Sequence, residues 1–159
     1  MLLYQNGETF ALGSSRYPLH PTINGEQINR IFIPIIVGNL EARAYLDTGG
    51  IFLICHPTIS TELKLNPREG IPYTINFRGN KIDGNLHSID LEIPAEDGEG
   101  IKFKVTAFIP DENPNMDWSK FPFPILGYHG CLEFIRFAID PRIQEEQPSV
   151  GRIYFGCTT

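Results

Sequence analysis

The residues best placed to do chemistry are Asp47-Thr48-Gly49. They follow the apolar run Ala44-Tyr45-Leu46 and precede Gly50 and a second apolar run, Ile51-Phe52-Leu53-Ile54. An acid between two apolar stretches is costly to bury unless hydrogen bonds or a partner hold it. The chemistry open to such a carboxyl is proton transfer, giving a proton to a leaving group or taking one from water. Taken alone, the triad also describes a β-turn whose Asp bonds its own backbone.

Other reactive side chains are placed less suggestively. His56, His87 and His129 are irregularly spaced and each lies beside a strand end or loop. They read as surface or hydrogen-bonded histidines, and no metal is expected. Cys55, Cys131 and Cys157 are odd in number and fit no zinc spacing, which points to reduced thiols and a cytoplasmic protein. Cys131, beside Leu132, reads as a small core residue because no base is near it in sequence. No cofactor is expected.

The elements that must position Asp47 are short and turn-rich. The chain has 159 residues, 42% hydrophobic and 20% charged, with 15 Gly and 13 Pro. That is enough for one real core and favours turns over long helices. A net charge of −6 argues against nucleic acid as a partner, since phosphate binding needs a basic footprint. No apolar run approaches a membrane span, and Met1–Asn6 lacks the features of a signal peptide, so no membrane partner is expected.

Residues 1–28 read as an N-terminal arm with a strand near Thr9–Leu12, and residues 29–159 as one domain. Ile31–Val37 is a β-branched strand in which Pro34 suggests an edge or a bulge. Gly38-Asn39 turns it into Glu41–Leu46, a hairpin that delivers Asp47 at its end. Ile51–Cys55 reads as the next strand, and Thr58–Leu65 as either a short helix or an irregular loop. Tyr73–Phe77 and Leu86–Ile93 are the arms of a second hairpin, with turn signals at Arg78-Gly79-Asn80 and Asp83-Gly84-Asn85. Ile101–Ile109 alternates as a strand, Pro110–Lys120 is a polar loop, and Phe121–Leu126 is apolar up to Gly127. Gly130–Phe137 has helical spacing through Leu132 and Ile135. Phe137–Ile139 and Arg152–Phe155 read as strands, with a loop at Gln144–Val150 in which Glu145-Glu146 is solvated. Eight to ten short strands and one short helix make an all-β, barrel-like domain.

In this order the motifs resemble the retropepsin-like aspartic proteases, the single-lobe relatives of pepsin, over roughly residues 30–140. Tyr45-Leu46-Asp47-Thr48-Gly49 matches the family's apolar-apolar-Asp-Thr/Ser-Gly loop. The hairpin around Phe77-Arg78-Gly79-Asn80 matches its flap. Ile125-Leu126-Gly127 matches its apolar-apolar-Gly support, and Gly130–Phe137 its short helix. The segment after that glycine reads Gly-x-Leu-x-x-Phe, as in bacterial single-domain members. One departure is Gly50, where the family usually has Ala or Ser. Another is the apolar Ile51-Phe52 that follows.

The resemblance implies an acid-protease barrel with a flap and an aspartic endopeptidase. In the family's dyads two carboxylates share one proton, titrate as a unit and activate water together. This chain has one Asp-Thr-Gly, so the dyad implies a homodimer with an Asp47 from each subunit. Thr48 would hydrogen-bond across the two-fold axis, and Gly49 would let its backbone approach the carboxylate. Ile125, Leu126 and Gly127 would support the loop. Gly50, Ile51, Phe77, Arg78 and Gly79 would contact a polypeptide substrate. The alternative is a weak or inactive module of the same fold that dimerises or binds peptides, motivated by Gly50. Trp118, Phe121 and Phe123 read as an apolar cluster.

Overall fold

Two-residue periodicity builds most of the chain. In Asn80–Ile93 the side chains of Ile89, Leu91 and Ile93 fall on one face and are buried, with polar residues between them. The structure, a computed structural model, describes residues 1–66, 68–111, 116–120, 123–141 and 150–158.

In chain order the strands begin with β1 (Leu2–Leu3), β2 (Thr9–Ala11), β3 (Gly13–Pro18), β4 (Thr22–Ile23) and β5 (Glu26–Gln27). Then come β6 (Phe32–Val37), β7 (Leu40–Ile51), β8 (Leu53–Ile54) and helix α1 (Pro57–Glu62). β9 (Ile71–Phe77), β10 (Asn80–Ile93), β11 (Asp97–Gly98) and β12 (Ile101–Pro110) follow. β13 (Ile125–His129), β14 (Ile135–Asp140) and β15 (Val150–Cys157) complete the order.

A seven-stranded sheet runs β12-β8-β13-β7-β6-β10-β9, and β12 pairs with β10 as well. A four-stranded sheet runs β11-β3-β15-β14, so β3 from the N-terminal part is zipped to β15 near the C-terminus. Ile33, Ile35 and Val37 of β6 meet Leu91, Leu126 and Phe155 in the main core. A second cluster joins Phe52, Ile54 and Ile125 to Ile75 and Ile82 of the β9–β10 hairpin, holding that hairpin against the segment that follows Asp47.

The all-β expectation with one short α-helix holds, but the helix lies elsewhere. It is α1, in the stretch left open between helix and loop. Pro57 stands at its first turn, and His56 caps it by accepting the Thr58 N–H on Nδ1 at 3.2 Å. Gly130–Phe137 instead forms one 3₁₀ turn, Leu132–Phe134, and then becomes strand. Leu132 and Ile135 are buried, as the spacing predicts, but the backbone from Ile135 onward pairs with β15, beginning Ile135↔Cys157. Sheet pairing therefore overrides the local helical period. Phe134 is exposed.

Three further differences bear on the site. First, the strand expected to stop at Leu46 continues to Ile51, because β13 pairs with it in parallel through Gly127↔Asp47 and His129↔Ile51. The break falls at Phe52, whose φ of +57° is in the left-handed region. Second, Asp83-Gly84-Asn85 is not a turn but lies inside β10. A Cβ on Gly84 would stand 2.3 Å from the Ile109 carbonyl oxygen, so this glycine serves close strand packing. Third, the strand segments outnumber the eight to ten expected, owing to two-residue pairings such as β1, β4, β5 and β11. Pro34 sits where β6 has β7 as its neighbour, while β10 reaches β6 only at Ile36 and Val37, which fits the expected local edge.

The expected loops and apolar run fall partly outside the described residues, at 112–115, 121–122 and 142–149, the last including Glu145 and Glu146. Trp118 packs on the second cluster, edge-on to His56 at 6.0 Å between centroids, and Phe123 is edge-on to Phe32 at 4.9 Å. None of the helices among the described residues is long and apolar enough to cross a membrane.

Candidate active site

Asp47 is held by the parallel pairing of β7 with β13. Ile125 lies opposite Tyr45, Leu126 opposite Leu46, and Gly127 opposite Asp47. Ile125 and Leu126 are buried, so this support is anchored in both apolar clusters. Gly127 is required by space. A Cβ there would lie 2.6 Å from the Ile51 carbonyl carbon and 2.6 Å from the Phe52 carbonyl oxygen, both backbone atoms. With no side chain in the way, its N–H donates to the Phe52 carbonyl at 2.9 Å, and the Phe52 N–H donates to the His129 carbonyl at 2.6 Å. These bonds flank the strained Phe52 backbone, and its buried ring packs edge-on against Tyr73 of β9, 5.3 Å between centroids.

The Asp47 side chain is half-buried, and its Oδ1 accepts the Gly49 N–H at 3.1 Å. A Cβ on Gly49 would be 3.6 Å from that oxygen, an ordinary contact, so what Gly49 contributes is its amide and not its missing side chain. The Gly49 backbone thus stands against the carboxylate, as expected. Gly50 is the tighter position: a Cβ there would lie 3.1 Å from both Cγ and Oδ2 of Asp47. The carboxylate thus occupies space that the family's usual Ala would contest. Thr48 is exposed and, among the described residues, its hydroxyl has no hydrogen-bond partner.

The β9–β10 hairpin closes on a two-residue turn. Phe77 pairs with Asn80, and Arg78 and Gly79 have φ of +50° and +83°, the left-handed pair of a type I′ turn. Phe77 is half-buried on the second cluster, and a Cβ on Gly79 would meet nothing within 4 Å. The Arg78 side chain and Tyr45, two residues before Asp47 on β7, line the same cavity. Burial raises the Tyr45 phenol above its usual range, and the nearby Asp47 charge raises it further, while Arg78 and Arg30 act the other way. The Arg30 guanidinium stands over the Tyr45 ring, 5.9 Å from its centroid.

Sequence reasoning did not single out Tyr45 and Arg30 as site residues. Tyr45 carried a usable signal, since alternate residues of a strand share a face and it is two before the acid. Arg30 carried none, being one basic residue ahead of an apolar strand. His56 and His129 have local partners: His56 caps α1, and His129 Nδ1 lies 3.2 Å from Glu133 Oε1. Among the described residues no group of three or more His, Cys, Asp or Glu could hold a metal ion.

Among solved structures, the chain is similar to a retropepsin-like aspartic protease from Rickettsia conorii, with 14% identity and a TM-score of 0.52 over 93% of this chain and 94% of that one. The chain has a retropepsin-like fold. EIAV protease complexed with the inhibitor HBY-793 also matches, at 20% identity and a TM-score of 0.40 over 67% of this chain and 88% of that one. No family model and no curated protein matched the sequence. Within this fold Asp47 lies on β7 opposite Gly127, and the β9–β10 hairpin packs against the segment that follows it.

Proposed function

We propose that the chain is an aspartic endopeptidase acting as a homodimer, with one Asp47 from each subunit. The observation that carries this is the placement of Asp47 in a retropepsin-like fold, opposite Gly127 and with its Oδ1 bound by the Gly49 amide. Two such carboxylates across a two-fold axis cannot both ionise at close range, so they share a proton. The ionised partner takes a proton from water as it attacks the scissile carbonyl. The protonated partner then serves the departing amine. The exposed Thr48 hydroxyl is available to bond across that axis, and the β9–β10 hairpin is available to close over the substrate as a flap. An extended peptide would pair along the cleft by its backbone, its side chains read by pockets that include Gly50, Ile51, Phe77, Arg78 and Gly79.

The deciding experiment is cleavage of a denatured protein mixture at mildly acidic pH, wild type against Asp47→Asn, with cut sites read by mass spectrometry. Cuts that vanish in the variant, while sedimentation shows the same dimer in both, are the expected result. Cuts that persist in Asp47→Asn would sink the mechanism. A dimer with no Asp47-dependent cuts would make the chain a binding module of the same fold.

A further inference from the structure

A cavity of about 500 Å³ lies where the hairpin tip, the N-terminal part of the chain and β7 come together. Arg78, Arg30 and Tyr45 line it, with Phe32 and Phe123 as apolar wall and Glu26 of β5 as the one acid among its described lining residues. We propose that this cavity is a subsite for an acidic side chain of the polypeptide substrate, whose carboxylate is held between the guanidinium groups of Arg30 and Arg78. The proposal rests on the protease assignment above and deepens it by naming a substrate class.

Three observations carry it. Both arginines line the cavity beside one tyrosine: Arg30 stands over the Tyr45 ring at 5.9 Å, and Arg78 and Tyr45 share the lining. A planar guanidinium is suited to grip a carboxylate. Arg78 is also an unexpected residue for its position. A type I′ turn favours Asn, Asp or Gly at its first central residue, and a left-handed backbone costs Arg about 1–2 kcal/mol. Finally, Tyr45, which lines the cavity, stands two residues before the candidate catalytic Asp47 on β7. The Phe32 and Phe123 rings suit the methylenes of a Glu side chain while its carboxylate meets the arginines. Among the described lining residues the charged side chains are Arg30, Arg78 and Glu26.

The test compares C-terminally amidated peptides that share an apolar cleavage sequence and differ by one Glu-to-Gln exchange, scanned along the sequence. Amidation leaves the side-chain carboxylate as the variable. At one position kcat/KM should favour Glu by about tenfold or more, the worth of a charge-assisted hydrogen bond. That ratio should collapse in Arg30→Gln and Arg78→Gln, rise in Glu26→Gln, and shrink as salt is added. Should an arginine variant fail to fold, the Glu26→Gln and salt arms still decide.

Asp47-dependent cleavage with no Glu preference, or a preference that survives both arginine variants, overturns the subsite and leaves the protease assignment standing. If no Asp47-dependent cleavage occurs, the protease assignment falls. Fluorescence anisotropy of the same labelled peptides on the wild-type chain then decides the subsite: equal binding of the Glu and Gln peptides overturns it, and arginine-dependent preference for Glu supports it.

Discussion

A Cβ on Gly50 would stand 3.1 Å from both Cγ and Oδ2 of Asp47, closer than an alanine methyl and a carboxylate sit without one of them moving. Gly50 therefore leaves the acid its room. Gly50→Ala should turn the Asp47 carboxyl away from its present position. A misplacement of 1 Å costs about a hundredfold in rate, so a shift of a few tenths of an ångström should lower kcat/KM by roughly two- to sixfold. The melting temperature should change little, because the loop is half-exposed. Steady-state kinetics on an Asp47-dependent substrate checks this, and an unchanged or raised kcat/KM would show that the space beside the carboxyl is not needed.

Gly127 makes the opposite kind of demand. Its missing Cβ would collide with the Ile51 and Phe52 backbone at 2.6 Å, where no side-chain rotation gives relief. Gly127→Ala should destabilise the fold by about 1–3 kcal/mol, the usual cost of overpacking. Urea unfolding monitored by the lone tryptophan, Trp118, measures it, and a wild-type midpoint would contradict the packing described.

The thiols should divide by reactivity. Cys157 is exposed, whereas Cys55 and Cys131 are buried. Burial pushes the Cys55 thiol up to about 12, and burial followed by the Cys55 and Glu133 charges raises Cys131. A soluble thiol reagent near neutral pH should label one cysteine quickly and the other two only after unfolding. The sign of the linkage follows: in alkali the folded chain keeps protons that the unfolded chain has released. Stability from the buried thiols is full below the ordinary thiol value of 9.0 and falls as pH climbs from there toward about 12. Rapid labelling of all three thiols in the native state would contradict this.

His56 predicts a loss on the acid side. Burial lowers its pKa below the ordinary 6.5, with a hydrogen bond to the Trp118 backbone acting against the shift. Its Nδ1 accepts the Thr58 N–H that starts α1, and protonation removes that acceptor. A depressed base contributes stability that is present above its unfolded value of about 6.5 and lost as pH falls through the folded value. His56→Asn keeps a capping oxygen without a titrating ring, so it should flatten this part of the profile in thermal melts across acidic pH. An unchanged slope would place the acid sensitivity elsewhere.

Much of the site's frame was legible because it is local. Asp47-Thr48-Gly49 between apolar runs, the Gly79 turn and Ile125-Leu126-Gly127 are each contiguous, and contiguous residues carry their own periodicity and turn chemistry. Gly130–Phe137 misled because two residues at helical spacing are too few to compete with a strand partner. Here that partner is β15, whose Cys157 begins the pairing at Ile135. Gly84 misled because a glycine required by a neighbouring strand looks the same in sequence as one required by a turn.

By itself the sequence determined that the chain is β-rich, that one acid lies where apolar runs meet, and that a tight hairpin and an apolar-apolar-glycine segment come later. These follow from composition, alternation and nearest-neighbour sterics. Only the tertiary structure decided that Gly127 lies beside Asp47, that Gly50 yields its space to the carboxylate, and that Arg30, Arg78 and Tyr45 line one cavity. Those relationships join residues tens of positions apart or depend on ångström-scale clearance. The physical reason is that a long-range contact is set by sheet order and register, which emerge from how all the strands share one core, and no single segment carries that information.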